Sequence, residues 1–147
     1  MKLDDALTSV STLFLDTAPV IYYVEQNPAY FGMIYEIFER VDEGTITAVT
    51  SPITLSECLV FPYRHGNVQL QADFADLIIR GNHTQFVGID EYIGEHAAEL
   101  RARYNLALAD ALQFAVALAA NCQAFLTNDK RLKRVSELRV LVVDELE

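Results

Sequence analysis

Along the chain, short apolar or β-branched runs alternate with longer segments whose apolar residues recur every three or four positions. TLFLD, residues 12–16, is an apolar run closed by a carboxylate, which suits a strand buried on both faces. Pro19 follows three residues later, where it can open a helix through Tyr22, Tyr23 and Val24. PAYFGMIYEIFERVDEG, residues 28–44, carries aromatic and aliphatic side chains at helical spacing and ends on a Gly stop. TITAVT, residues 45–50, is β-branched and predicts a strand. Ser51-Pro52 then starts a helix that breaks at Pro62, before a loop over residues 63–67.

Downstream, residues 68–81 predict an amphipathic helix and residues 85–89 a brief strand. A helix over 91–105 places Glu99 and Arg103 one turn apart on an exposed face. Residues 109–122 predict a further helix, and residues 124–127 and 138–143 the last two strands. Strands alternate with helices, and no hairpin turn signal joins any two strands. The pattern predicts an α/β fold, a mostly parallel sheet flanked by helices, in a single domain over residues 1–147. There is no internal repeat, linker or low-complexity tract.

Composition narrows the class. With 147 residues and 52% hydrophobic residues, the chain can build a sizeable core. Against 21 acidic residues stand 11 basic ones, a net charge of −10, which disfavours a nucleic-acid partner unless cations or a local basic patch supply the attraction. Cys58 and Cys122 sit in apolar surroundings far apart in sequence and read as buried thiols of a reducing compartment. His65, His83 and His96 form no metal-ligand spacing, and the first two fall in turn-like segments. MKLDDALTSV carries early acids and no sustained apolar run, so no signal peptide is expected. LALADALQFAVALAA is too short for a membrane span and contains Asp110; it predicts a buried helix in a cytoplasmic protein.

Four acids carry the candidate chemistry, and each has a structural alternative. Asp16 can cap the helix after the first strand. Thr54-x-x-Glu57 can form a capping box. Asp110 stands near a helix start, where the macrodipole favours negative charge. Asp129 can cap the basic turn that follows it. The neighbourhoods point further. Ile53, Thr54, Val60 and Phe61 lie one turn from Glu57, a mainly apolar stripe that holds this carboxylate against the core. Asp110 opens a helix whose other polar members are Gln113 and Asn121. In open parallel sheets functional groups gather beyond the carboxyl ends of the strands, where Asp16 and Asp129 sit; Glu57 and Asp110 are expected in the first turns of helices, and the Glu57 helix begins at that same edge. Four acids meeting there without counter-charges repel one another, and a hard divalent cation with oxygen preference relieves the repulsion. The donor set argues against zinc.

FLDTAPVIYY, ITLSECL, LALADALQFAVALA and FLTNDKRL, in that order, resemble the PIN domain, and in particular the VapC-like toxins of prokaryotic toxin–antitoxin systems. The resemblance spans roughly residues 12–143. It implies a three-layer α/β sandwich and a ribonuclease dependent on Mg2+ or Mn2+, with Asp16, Glu57, Asp110 and Asp129 as catalytic and metal-binding acids. Thr17, Thr127 and Asn128 are then polar residues supporting that site. It also implies a cognate antitoxin partner and a homodimer. Many relatives carry Asn after the first Asp-Thr pair, whereas this chain has Ala18-Pro19, which removes one polar contact and leaves the four carboxylates untouched.

Lys130, Arg131, Lys133 and Arg134 follow Asp129 at once and read either as a docking patch for an RNA backbone or as a solvated face offsetting nearby acids. Tyr22, Tyr23, Tyr30, Phe31 and Tyr35 give two early helices an excess of aromatic surface, as core or as the lining of a groove for an antitoxin segment. Two alternatives to the toxin stand beside it: a housekeeping PIN nuclease of RNA maturation, and a non-catalytic binding module.

Overall fold

The structure is a computed structural model describing residues 1–147. Five strands, β1 (Thr12–Leu15), β2 (Thr47–Thr50), β3 (Thr84–Phe86), β4 (Ala124–Thr127) and β5 (Arg139–Val142), form one sheet in the order β3-β2-β1-β4-β5. Every neighbouring pair is parallel. Seven helices accompany them: α1 (Leu3–Ala6), α2 (Thr17–Val24), α3 (Phe31–Asp42), α4 (Pro52–Arg64), α5 (Val68–Arg80), α6 (Glu91–Tyr104) and α7 (Leu108–Ala119). Short 3-10 turns cover Lys130–Arg134 and Val143–Glu145.

The two-residue period of the strands divides the interior in two. Leu13, Leu15, Ala48, Ala124 and Leu126 face one core, completed by Val20 of α2, Ile34 and Ile37 of α3, Cys58 of α4 and Phe74 of α5. Phe14, Val49 and Phe125 face the other, against Leu100 of α6 and Phe114 and Val116 of α7. Phe125 is stacked between Phe14, at 4.9 Å, and Phe114, at 4.0 Å. Helices α1 to α5 thus cover one face and α6 and α7 the other, giving the expected three-layer α/β sandwich. Strands buried on both faces explain the continuous apolar runs TLFL and AFLT.

The connections position the site. From β1 the chain steps outward to β2 and β3 through right-handed crossovers, which puts α2 to α5 on one face. It then returns across the sheet to β4, and the reversed direction places α6 and α7 on the opposite face. The direction changes between β1 and β4, so their carboxyl ends lie side by side at a topological switch point.

Several boundaries differ from the sequence expectation. The helix expected to break at Pro62 continues to Arg64. Pro62 is buried and its carbonyl accepts from the Asn67 N–H at 2.9 Å and from Gln71 Nε2 of α5 at 3.4 Å, so packing between α4 and α5 outweighs the missing donor. The helix starts at Ser51-Pro52 as expected, and the alternative of a capping box at Thr54 is not formed. Ser51 is the N-cap, its hydroxyl accepting from the N–H groups of Ile53 and Thr54, and Thr54 lies inside the helix with its side chain buried. Residues 28–30 precede α3 as a turn, whereas the Gly stop is observed: Gly44 adopts φ +80° after the last turn of α3. Cys58 and Cys122 are buried free thiols.

Candidate active site

Asp16 follows directly on β1 and Thr127 ends β4. The strands are paired through Leu15 and Leu126, and the Asp16 N–H donates to the Leu126 carbonyl at 3.0 Å. One residue further, Thr127 Oγ1 donates to Asp16 Oδ2 at 2.8 Å and accepts the Asp129 N–H at 3.1 Å. Asp16 occupies the N-cap position of α2, yet its side chain makes no capping bond. Its carboxylate is turned instead toward the sheet edge. Burial pushes this carboxyl above the usual carboxylate range; hydrogen bonds from Thr127, the Thr17 backbone and Gln113 act against that shift, while the charge on Glu57 adds to it.

Asp110 lies in the first turn of α7, as its sequence position suggested. Its carboxyl is pushed up to about 6, first by burial and then by the charges of Asp16, Asp129 and Glu57, with Arg131 acting in the opposite sense. The mutual repulsion ties these four acids to one place. They line a single open pocket of about 320 Å³, together with Thr17, Tyr22, Thr127 and Asn128. A larger groove, about 630 Å³, lies between α2, α3 and α5 and contains none of the four.

Two details of the acids differ from the sequence reading. Glu57 is in the second turn of α4, not the first, and is exposed rather than held against the core. Val60 and Phe61, the supposed apolar stripe, are 46% and 53% exposed, and the inward face of α4 is made by Thr54, Cys58 and Pro62. What anchors Glu57 is the Thr17 hydroxyl, which donates to Oε1 at 2.6 Å. Nor are the acids without a counter-charge. Arg131 Nε and Nη2 bind Asp129 Oδ1 and Oδ2 at 3.0 and 2.9 Å, and Asp129 Oδ1 also accepts the Arg131 N–H. This pairing holds the Asp129 carboxyl below its ordinary range.

The basic cluster is similarly occupied. Lys133 Nζ bonds Glu145 at 2.8 Å, and Arg134 donates from Nε to the Tyr104 carbonyl at 2.9 Å and from Nη2 to the Asn105 carbonyl at 3.2 Å, fastening the end of α6. Lys130 alone of the four extends without a partner in the chain. Asn128 braces the pocket wall: its Nδ2 donates to the Tyr22 hydroxyl at 3.0 Å and its Oδ1 accepts the Asp144 N–H at 2.9 Å. Tyr22 stacks on Tyr30, whose hydroxyl donates to Asp144 at 2.7 Å, whereas Tyr23, Phe31 and Tyr35 line the larger groove.

Beneath Asp16 lies a buried polar group that sequence reasoning passed over. Gln113, 1% exposed, receives a short hydrogen bond from the Ser51 hydroxyl, donates from Nε2 to Thr54 Oγ1 at 2.7 Å and stands 3.5 Å from Asp16 Oδ1. The available signal was a glutamine one turn after Asp110, on the same side of an otherwise apolar helix.

The donors in the pocket are hard carboxylate and hydroxyl oxygens, with no His or Cys among the lining residues. No three His, Cys, Asp or Glu side chains stand close enough together to hold a metal ion between them. Asp16 and Asp110, which carry no salt-bridge partner, are the carboxylates that would hold a Mg2+ or Mn2+ ion, which takes only one or two carboxylates from a protein and keeps its waters. The residues present therefore fit such an ion and do not fit zinc.

The order β3-β2-β1-β4-β5, with acids gathered at the switch point, defines a PIN-type α/β domain. Residues 13–138 match the PIN domain, and the chain belongs to that family. No curated protein matches the chain. Among solved structures, it resembles VapBC2 from Rickettsia felis bound to a promoter DNA fragment, at a TM-score of 0.71 and 18% identity, covering 89% of this chain and 98% of that one. FitAcB from Neisseria gonorrhoeae matches at 0.69 and 16%, over 91% and 99% of the two chains. VapC20 from Mycobacterium tuberculosis, described as a sarcin–ricin loop cleaving toxin, matches at 0.67 and 18%, over 86% and 98%. At these identities the likeness is one of fold. No helix is long and apolar enough to cross a membrane.

Proposed function

We propose that the chain is a VapC-type endoribonuclease, active with Mg2+ or Mn2+ and restrained by a cognate antitoxin. One observation carries the reading: Asp16, Glu57, Asp110 and Asp129, drawn from four separate stretches of sequence, line one pocket at the switch point of the sheet. Membership of the PIN family and the likeness in fold to VapC and Fit toxin–antitoxin structures support it.

Cleaving a phosphodiester requires an activated water, compensation of the charge that builds on phosphorus, and a proton for the departing oxygen. A divalent cation, when bound, acidifies its water and polarises the phosphoryl oxygen. Asp16 is the deep anionic anchor, kept ionisable by neutral donors. The Asp110 carboxyl is pushed up to about 6 by burial and by the neighbouring acids, a repulsion that a hard cation would relieve. Glu57 stands at the outer wall, with Oε1 fixed by Thr17 and Oε2 free to accept the proton of an attacking water. Thr17, Thr127 and Asn128 orient these groups. Lys130, exposed and next to Asp129 in the chain, suits an RNA phosphate.

For the partner, the larger groove supports an antitoxin segment: aromatic walls from Tyr23, Phe31 and Tyr35, with Asp42 and Asp73 also lining it and Asp76 paired with Arg80, suit a basic, apolar-faced peptide. A homodimer and a cytoplasmic site of action complete the reading. The Asp129–Arg131 pair favours the competing view, a non-catalytic module whose acids are structural. Purified chain, free of any partner, incubated with structured RNAs and Mg2+ or Mn2+, decides between them. The nuclease reading expects cleavage that stops with EDTA and with Asp16→Asn; no cleavage with either metal sinks it.

A further inference from the structure

Gln113 is the one long polar side chain wholly inside the α7 layer, between Leu112 and Phe114 in a helix that is otherwise apolar there. A buried amide is tolerated only when its donors and acceptor are matched. Here the matching leaves no freedom of direction. The Ser51 oxygen already accepts from the N–H groups of Ile53 and Thr54, at 3.1 and 3.4 Å, so its single proton goes to Gln113 Oε1. The Thr54 hydroxyl proton goes to the Leu15 carbonyl at 3.1 Å, so its lone pair receives Gln113 Nε2. The amide orientation follows from these partners: oxygen toward Ser51, nitrogen toward Thr54 and Asp16. A second N–H on that nitrogen remains, 3.5 Å from Asp16 Oδ1, while Thr127 holds Oδ2.

We propose that Gln113 is a positioning residue for Asp16: its neutral N–H, aimed by Ser51 and Thr54, holds Oδ1 and sets which carboxylate lone pairs face the pocket. The N-cap of α4 is thereby coupled to the end of β1 through α7, the helix that also carries Asp110 one turn earlier. A neutral donor suits this task better than a cation, because Lys or Arg would cancel the charge the pocket needs. The inference rests on the metal-nuclease reading for its functional consequence, though not for the geometry.

The test compares wild type with Gln113→Met, which keeps length but removes donor and acceptor, and with the isosteric Gln113→Glu, which sets a second acid against Asp16. Crystal structures of both variants, without metal, are expected to show the Asp16 carboxylate turned away from its wild-type orientation. Mn2+ affinity by calorimetry is expected to fall about 10–100-fold, the usual cost of losing a group that orients a ligand. The loss in RNA cleavage is expected in kcat, with KM little changed. An Asp16 orientation and Mn2+ affinity equal to wild type, with only the melting temperature lowered, overturns the proposal. Failure of wild-type protein to bind Mn2+ sinks the nuclease reading instead, and the Asp16 orientation in the variants still decides the role of Gln113.

Discussion

Thr127 and Asp16 meet across the β4–β1 boundary, the hydroxyl of one donating to Oδ2 of the other at 2.8 Å. The bond exists because the two strands are paired in parallel with Leu126 beside Leu15, which brings the residues after them to the same level. It counteracts the desolvation of a carboxylate that no cation accompanies.

Thr127→Val keeps the shape of the side chain and deletes the donor. Stability is expected to fall by about 1.5–3 kcal/mol in urea unfolding at pH 7, the range for a hydrogen bond to a charged group. Cleavage of RNA should fall with it, and a Val variant as stable and as active as wild type removes Thr127 from the site.

The raised carboxyls imply a pH dependence with a definite sign. Asp110 titrates at about 6 when folded against about 3.9 when unfolded, and Asp16 is shifted the same way. Between those values the native chain binds more protons than the unfolded one, so stability falls as pH rises through that window. Asp129, held low by Arg131, works oppositely: its stabilisation is present above its unfolded value and lost as pH falls through the folded one. Urea midpoints from pH 4 to 7 should therefore decline for wild type and flatten for Asp110→Asn. A curve that rises across that interval contradicts the assignment.

Added cation should reverse the same penalty. Mg2+ in the millimolar range is expected to raise the melting temperature more at pH 7 than at pH 5, where Asp110 is largely protonated. Asp110→Asn should abolish the difference. An equal shift at both pH values would mean the ion acts elsewhere.

Arg131 competes with any cation for Asp129, so Arg131→Gln is expected to lower stability at pH 7 only slightly, Arg131 being exposed and Asp129 half-buried, while tightening Mn2+ binding several-fold. Calorimetry reads this directly. Weaker binding in the variant would instead give Arg131 a supporting role.

Among the basic residues, Lys130→Ala should weaken RNA binding and reduce its salt dependence without loss of stability, since Lys130 alone lacks a partner. Replacing Lys133 or Arg134 should lower the melting temperature, because these residues tie down Glu145 and the end of α6. RNA binding that responds to Lys133 and Arg134 and ignores Lys130 would reverse this division.

Much of this was legible in the residues alone. TLFLD reads as a strand buried on both faces because it is a short continuous apolar run, and TITAVT reads as a strand because it is β-branched. The helical spacing between them enforces crossovers, and crossovers enforce a parallel sheet. That Asp16 and Asp129 stand beyond strand ends followed from the same local signals. The tertiary structure alone decided what each acid touches: Thr17 for Glu57, Arg131 for Asp129, and Thr127 with Gln113 for Asp16. Ser51 caps α4 at the start that Ser51-Pro52 predicts, whereas Pro62 stayed inside its helix for reasons set by packing rather than propensity. Periodicity is a property of neighbours three or four residues apart. Asp16 and Gln113 are 97 residues apart, and only the register of β1 on β4, together with the seating of α7 beneath them, brings the two together.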